Sequence, residues 1–87
     1  MELKNYMEVV VKEVVDLELK KIDAKWENDE RRKLDVMALI LNRLPARYVV
    51  TGKGWIMTKI KETESQFQAD ILREMIRAMK IVEDNPR

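Results

Sequence analysis

The sequence has no cysteine and no histidine, only two glycines and two prolines, and aromatic residues make up 6% of it. Without cysteine, a disulfide framework and a thiolate zinc site are excluded. Without histidine, the commonest metal ligand and the commonest general base are also missing. No Ser/His/Asp or Cys/His set can be assembled, and the carboxylates Glu62, Glu64 and Asp70 stand without a paired base or nucleophile, so an enzyme is not expected. Glu27, Asp29 and Glu30 lack the glycine and the ligand spacing of a calcium loop and read as a solvated helix start. No apolar run approaches the roughly 20 residues of a membrane span, and Met1-Glu2-Leu3-Lys4 lacks the apolar core of a signal peptide. A soluble, cytoplasmic protein without a membrane partner is expected. The formal net charge of +1 gives no overall basicity for nucleic-acid binding, although a local basic cluster can still hold phosphate.

What the chain does have is 46% hydrophobic and 38% charged residues over 87 positions, a composition suited to amphipathic helices in one domain spanning 1–87. A chain of this length without staples is marginally stable alone. Self-association is the remaining source of stability, and a homodimer is expected.

From Leu3 to about Lys21, the residues Leu3, Tyr6, Met7, Val10, Val14 and Leu17 recur at spacings of three and four, with Val9, Val11 and Val15 widening the stripe. This predicts a helix with a broad apolar face. Ile22 to Arg32 is mostly polar and reads as a connector in which Asn28 or Asp29 caps the next helix. Arg31 to Leu44 is apolar around most of its circumference, as expected for the central helix of a small bundle, and Pro45 ends it. Asp35 within it is assigned a structural role, either capped or paired with a basic side chain such as Arg32. Thr63 and Gln66 form a possible capping box, after which Phe67, Ile71, Met75, Ala78, Met79 and Val82 trace a regular stripe that Asp84-Asn85-Pro86 stops. The fold expected is mainly α: about three main helices with a short β-hairpin or extended excursion.

That excursion is Leu44 to Trp55, which holds both glycines, one of the two prolines and a cluster of basic and aromatic side chains. Tyr48-Val49-Val50-Thr51 and Trp55 to Ile60 are β-prone runs on either side of Gly52-Lys53-Gly54. Arg43 and Arg47 lie four apart, with Lys53, Lys59 and Lys61 following and Tyr48 and Trp55 interleaved. The mix suits a nucleotide: Arg stacks on a purine or donates a bidentate pair to the guanine N7 and O6, Lys neutralises phosphate, and an aromatic ring offers a stacking face. The same residues also fit a hairpin turn with solvated charges and a core tryptophan.

Several blocks also carry a family likeness. Asn5-Tyr6-Met7-Glu8, Leu34-Asp35-Val36-Met37-Ala38-Leu39, Leu41-Asn42-Arg43-Leu44-Pro45, Arg47-Tyr48-Val49-Val50-Thr51, Lys53-Gly54 and the closing Asn85-Pro86 occur in an order that resembles the ComFB family of late competence development proteins. Many of its members carry cysteines just before the Asp-Val-x-Ala-Leu segment, where zinc can be held. Trp26 to Lys33 has none, so no zinc is expected, and capping, charge pairs and packing of Trp26 must order that connector. The cysteine-free chain with Lys53-Gly54-Trp55 resembles the branch described as cyclic-dinucleotide receptors.

The resemblance implies a helical homodimer that binds a cyclic dinucleotide, preferentially cyclic di-GMP, and relays its level to a downstream protein partner. Arg43 and Arg47 are expected at guanine edges or phosphate, Tyr48 and Trp55 as stacking walls, and Lys53, Lys59 and, more peripherally, Lys4 as phosphate partners. The alternative is a ligand-free helical interaction module in competence, motility or transcriptional regulation.

Overall fold

A computed structural model describes residues 2–50 and 64–85. Among these, a short strand β1 (Leu3–Asn5) leads into helix α1 (Tyr6–Ile22), a 3-10 turn (Ala24–Trp26), helix α2 (Glu30–Arg43), strand β2 (Tyr48–Val50) and helix α3 (Glu64–Asp84). The mainly helical expectation therefore holds, with three helices and one two-stranded antiparallel sheet among the described residues.

The first helix starts later than the apolar spacing predicts. Leu3 is in a strand and 74% exposed, because Asn5 intervenes as an N-cap: its backbone is extended and its side-chain oxygen accepts the Met7 N–H at 3.2 Å. From there Val10, Val11, Val14, Val15 and Leu19 are buried, and burial of these branched side chains offsets the weak helix preference of the valine run. Leu17, placed by spacing on the core face, is instead 58% exposed, since the buried arc follows the fourth-residue steps Val11, Val15, Leu19. Glu8 in the first turn and Lys20 and Lys21 in the last complement the helix dipole.

Asp23 closes α1 by donating its N–H to the Leu19 carbonyl at 3.0 Å, and its carboxylate accepts the Lys25 N–H at 3.2 Å to start the 3-10 turn. That turn inserts Trp26, which is fully buried, beneath the Arg32 guanidinium at 5.5 Å from the ring centroid. Asp29 is the cap of α2, accepting from the Arg32 N–H at 3.0 Å, while its other carboxylate oxygen lies 3.4 Å from Arg32 Nε. Capping, charge pairing and an indole thus order the connector. Asp35 is half-buried and partnered.

Helix α2 ends at Leu44, whose extended backbone precedes Pro45. It packs against both other helices, as a central helix should, but its apolar surface is not buried all round. Val36 and Ile40 are fully buried, whereas Leu34 is 59% exposed and Ala38 is also exposed, because α1 and α3 cover only one side of it. Along α3, Ile71, Met75, Ala78, Met79 and Val82 are buried as the stripe predicts, and Asn85 stops the helix by donating both its backbone and side-chain N–H groups to the Ile81 carbonyl. The capping residue proposed at Thr63 lies outside the described residues.

Strand β2 fulfils half of the expected excursion, but the partner it shows is β1: Leu3 faces Val50, Lys4 faces Val49 and Asn5 faces Tyr48. Trp55 to Ile60, the other β-prone run, lies outside the described residues. Val49 is buried and ties the ribbon to the core, which is one apolar cluster built from all three helices, Trp26 and β2.

Candidate functional site

Asn5 joins the two parts of the chain that frame the site. Its side-chain oxygen accepts the Met7 N–H and also the Arg47 N–H at 2.9 Å, while the Tyr6 N–H donates to the Arg47 carbonyl at 2.6 Å. One carboxamide oxygen therefore caps α1 and fixes the entry to β2. Arg47 and Tyr48 are held by backbone hydrogen bonds, with their side chains exposed.

The Arg47 guanidinium lies 5.4 Å from the centroid of the Phe67 ring on α3. Met7, Leu44, Pro45, Arg47, Phe67 and Asp70 enclose a pocket of about 90 Å³ at this corner. Its walls are apolar except for a guanidinium and a carboxylate. A volume of this size admits one edge of a base, far below the roughly 300 to 1,000 Å³ that whole small-molecule ligands occupy. Asp70 Oδ1 accepts from Arg73 Nη2 at 3.1 Å.

One turn along α3, Glu74 receives Arg43 Nε at 3.0 Å, and Arg77 Nη1 lies 4.0 Å from the same oxygen. The Glu74 side chain is only 12% exposed while the Arg43 side chain is 51% exposed, so the carboxylate anchors the last turn of α2 with part of the guanidinium still open to solvent. Phe67, Asp70 and Glu74 follow one another at helical spacings of three and four on the face that meets the end of α2 and the start of β2. The corner offers hydrogen-bond donors of fixed direction, an aromatic wall and two carboxylates. It is not uniformly basic.

The candidate residues are not all brought together. Arg43 and Arg47 share this corner, and Tyr48 follows Arg47 in the chain with 66% of its surface exposed but does not line the pocket. Lys4 is not part of it. Lys4 and Tyr48 occupy adjacent ladder positions, and the pleat turns their side chains to opposite faces of the ribbon. Lys4 lines a separate groove of about 420 Å³ with Glu8, Val9, Lys12, Glu13, Asp16 and Met37. There the Lys12 ammonium hydrogen-bonds Asp16 at 2.9 Å, which raises the lysine above its ordinary range, and three acidic residues offset the two lysines. Lys53, Trp55 and Lys59 lie outside the described residues.

Asn5, Phe67, Asp70 and Glu74 are the site residues that spacing did not single out for this role. The available signal was Asp70 and Glu74 at fourth-residue spacing with Phe67 one turn before, a polar edge running beside the core stripe of α3. Among the described residues, no cluster of three or more acidic side chains could hold a metal ion, and no helix is long and apolar enough to cross a membrane.

Residues 4–86 match the family described as late competence development protein ComFB. Among solved structures, that of the late competence protein ComFB from Bacillus subtilis is similar to this chain with a TM-score of 0.78 and 26% sequence identity, covering 99% of this chain and 93% of the other. Comparison with curated proteins finds no match.

Proposed function

The chain belongs to the late competence development protein ComFB family, and within it we propose a non-enzymatic receptor for a cyclic dinucleotide, cyclic di-GMP by preference, that relays ligand level to a protein partner. The observation that carries this reading is an exposed Arg47 guanidinium backed by the Phe67 ring, its backbone tethered through Asn5, with the exposed Tyr48 as the next residue of the chain. A guanidinium held over an aromatic ring and hydrogen-bonded at its backbone has lost much of its freedom before the ligand arrives, which lowers the ordering cost of binding. Arg43 adds donors from the end of α2, and Lys53, Lys59 and Trp55 are assigned phosphate and stacking roles by the same reading.

A homodimer is part of this proposal. The outward side of α2 carries Leu34 and Ala38 at a spacing of four, and Leu34 is one of the large exposed apolar residues. A second copy is the simplest cover for such a stripe, and a two-fold assembly presents the same Arg and Tyr set to each half of a two-fold ligand. The second reading, a helical interaction module without a ligand, draws on the same stripe and on the open apolar groove of about 250 Å³ between α2 and α3, lined by Asp35, Ala38, Leu39, Ile81, Val82 and Asn85.

Calorimetric titration with cyclic di-GMP, with cyclic di-AMP and GTP as comparisons, tests the receptor reading. Saturable binding that Arg47→Ala weakens at least tenfold supports it. Absence of heat with all three, in a protein that sediments as a dimer, favours the interaction module.

A further inference from the structure

The pocket beneath Arg47 contains a feature that phosphate binding does not call for: a carboxylate. Asp70 shares the pocket of about 90 Å³ with Arg47, Phe67, Leu44, Pro45 and Met7. Facing a phosphate, it would repel the ligand; facing the edge of a base, it selects one. We propose that Asp70 is the specificity-determining residue of the site and that the pocket admits one edge of a guanine base. This inference rests on the receptor reading above.

The argument is one of donors and acceptors. Guanine presents two acceptors, N7 and O6, on one edge and two donors, N1–H and N2–H2, on the next. A guanidinium matches the first edge and a carboxylate the second. Adenine places the unprotonated N1 lone pair where guanine has N1–H, so the same carboxylate meets an acceptor and repels it. Leu44, Pro45, Met7 and Phe67 supply apolar walls for the planar ring, and the pocket is too small for more of the ligand than part of one base.

Asp70 has the capacity for this contact. A carboxylate offers about four acceptor positions, and Arg73 Nη2 engages Oδ1 from the solvent side at 3.1 Å, with both side chains substantially exposed. Arg73 orients the carboxylate without burying it. Asp70 and Phe67 are one turn apart on the same helix, so α3 fixes the carboxylate relative to the aromatic wall.

The test compares the parent protein, Asp70→Asn and Arg73→Ala by calorimetric titration with cyclic di-GMP and cyclic di-AMP. In Asp70→Asn the side-chain amide can donate to adenine N1, so cyclic di-GMP affinity is expected to fall about tenfold to a hundredfold while cyclic di-AMP affinity is unchanged or improved. Arg73→Ala is expected to keep the preference for cyclic di-GMP. If Asp70→Asn leaves both affinities unchanged, lowers both by the same factor, or if Arg73→Ala reproduces its effect, Asp70 is not the base reader. If the parent binds neither ligand, the receptor reading itself falls, an outcome separate from a parent that binds cyclic di-GMP and an Asp70→Asn variant that keeps the parent's preference.

Discussion

Removing the Asn5 carboxamide, as in Asn5→Ala, should loosen the start of α1 and the entry to β2 together, because the same oxygen accepts from Met7 N–H at 3.2 Å and Arg47 N–H at 2.9 Å. Loss of an N-cap of this type costs about 1 kcal/mol. The second bond adds less, on the order of 0.5 kcal/mol, because it is exposed and water can replace the lost acceptor. The sum, roughly 1.5 kcal/mol, corresponds to a fall in Tm of about 6–12 °C for a chain of 87 residues. Thermal unfolding followed by circular dichroism reads this directly. Asn5→Asp is the informative companion, because it keeps an acceptor oxygen and places a negative charge at the helix N-terminus, so it should unfold within a few degrees of the parent. An Asn5→Ala protein as stable as the parent, or an Asn5→Asp protein as weak as Asn5→Ala, would refute the bridging role.

Trp26→Ala should cost about 3–5 kcal/mol, since the indole is fully buried and packs beneath Arg32. Urea unfolding would show this as a lower midpoint at similar slope. Glu74→Gln should lower stability by only about 0.5–1 kcal/mol through the half-exposed pair with Arg43; in titration with cyclic di-GMP the freed guanidinium should raise affinity, and a loss of affinity would count against Arg43 as a ligand contact. Lys4→Ala should leave cyclic di-GMP binding within twofold of the parent, because Lys4 lines a groove that shares no residue with the Arg47 pocket.

Helix α3 was legible because a 3.6-residue period over a long segment leaves one arrangement for Ile71, Met75, Ala78, Met79 and Val82. The end of α2 was legible for a stronger reason, the steric effect of Pro45 on Leu44. The start of α1 was not. A three-residue strand is too short to display its own period, and the residues that make Leu3–Asn5 a strand are Tyr48–Val50, far along the chain. Without that pairing, Leu3 simply extends the apolar spacing of the helix. Leu17 misled for a related reason: at spacing three from Val14 it fits the stripe, yet it falls on the rim of the buried arc that ends in Leu19.

The candidate site divides in the same way. Arg43, Arg47 and Tyr48 could be found from composition, since basic and aromatic residues around a proline stand out in an otherwise amphipathic chain. Asp70 and Glu74 could not, because their meaning comes from the packing of α3 against the end of α2, and an isolated carboxylate on a helix is ordinarily a solvated one. Lys4 shows the opposite limit. By sequence alone a lysine near the start of the chain is available to the cluster, and only the packing, which sets Lys4 in a separate groove with Glu8, Lys12 and Asp16, removes it.

The measurement that tests the central claim most directly is calorimetric titration of the parent protein and Arg47→Ala with cyclic di-GMP, with the mass of each determined in solution. The account predicts saturable binding to a dimeric parent and at least a tenfold loss in a variant that remains folded and dimeric. A parent that releases no heat and shows no thermal shift with cyclic di-GMP, or a variant that binds as tightly as the parent, would contradict it.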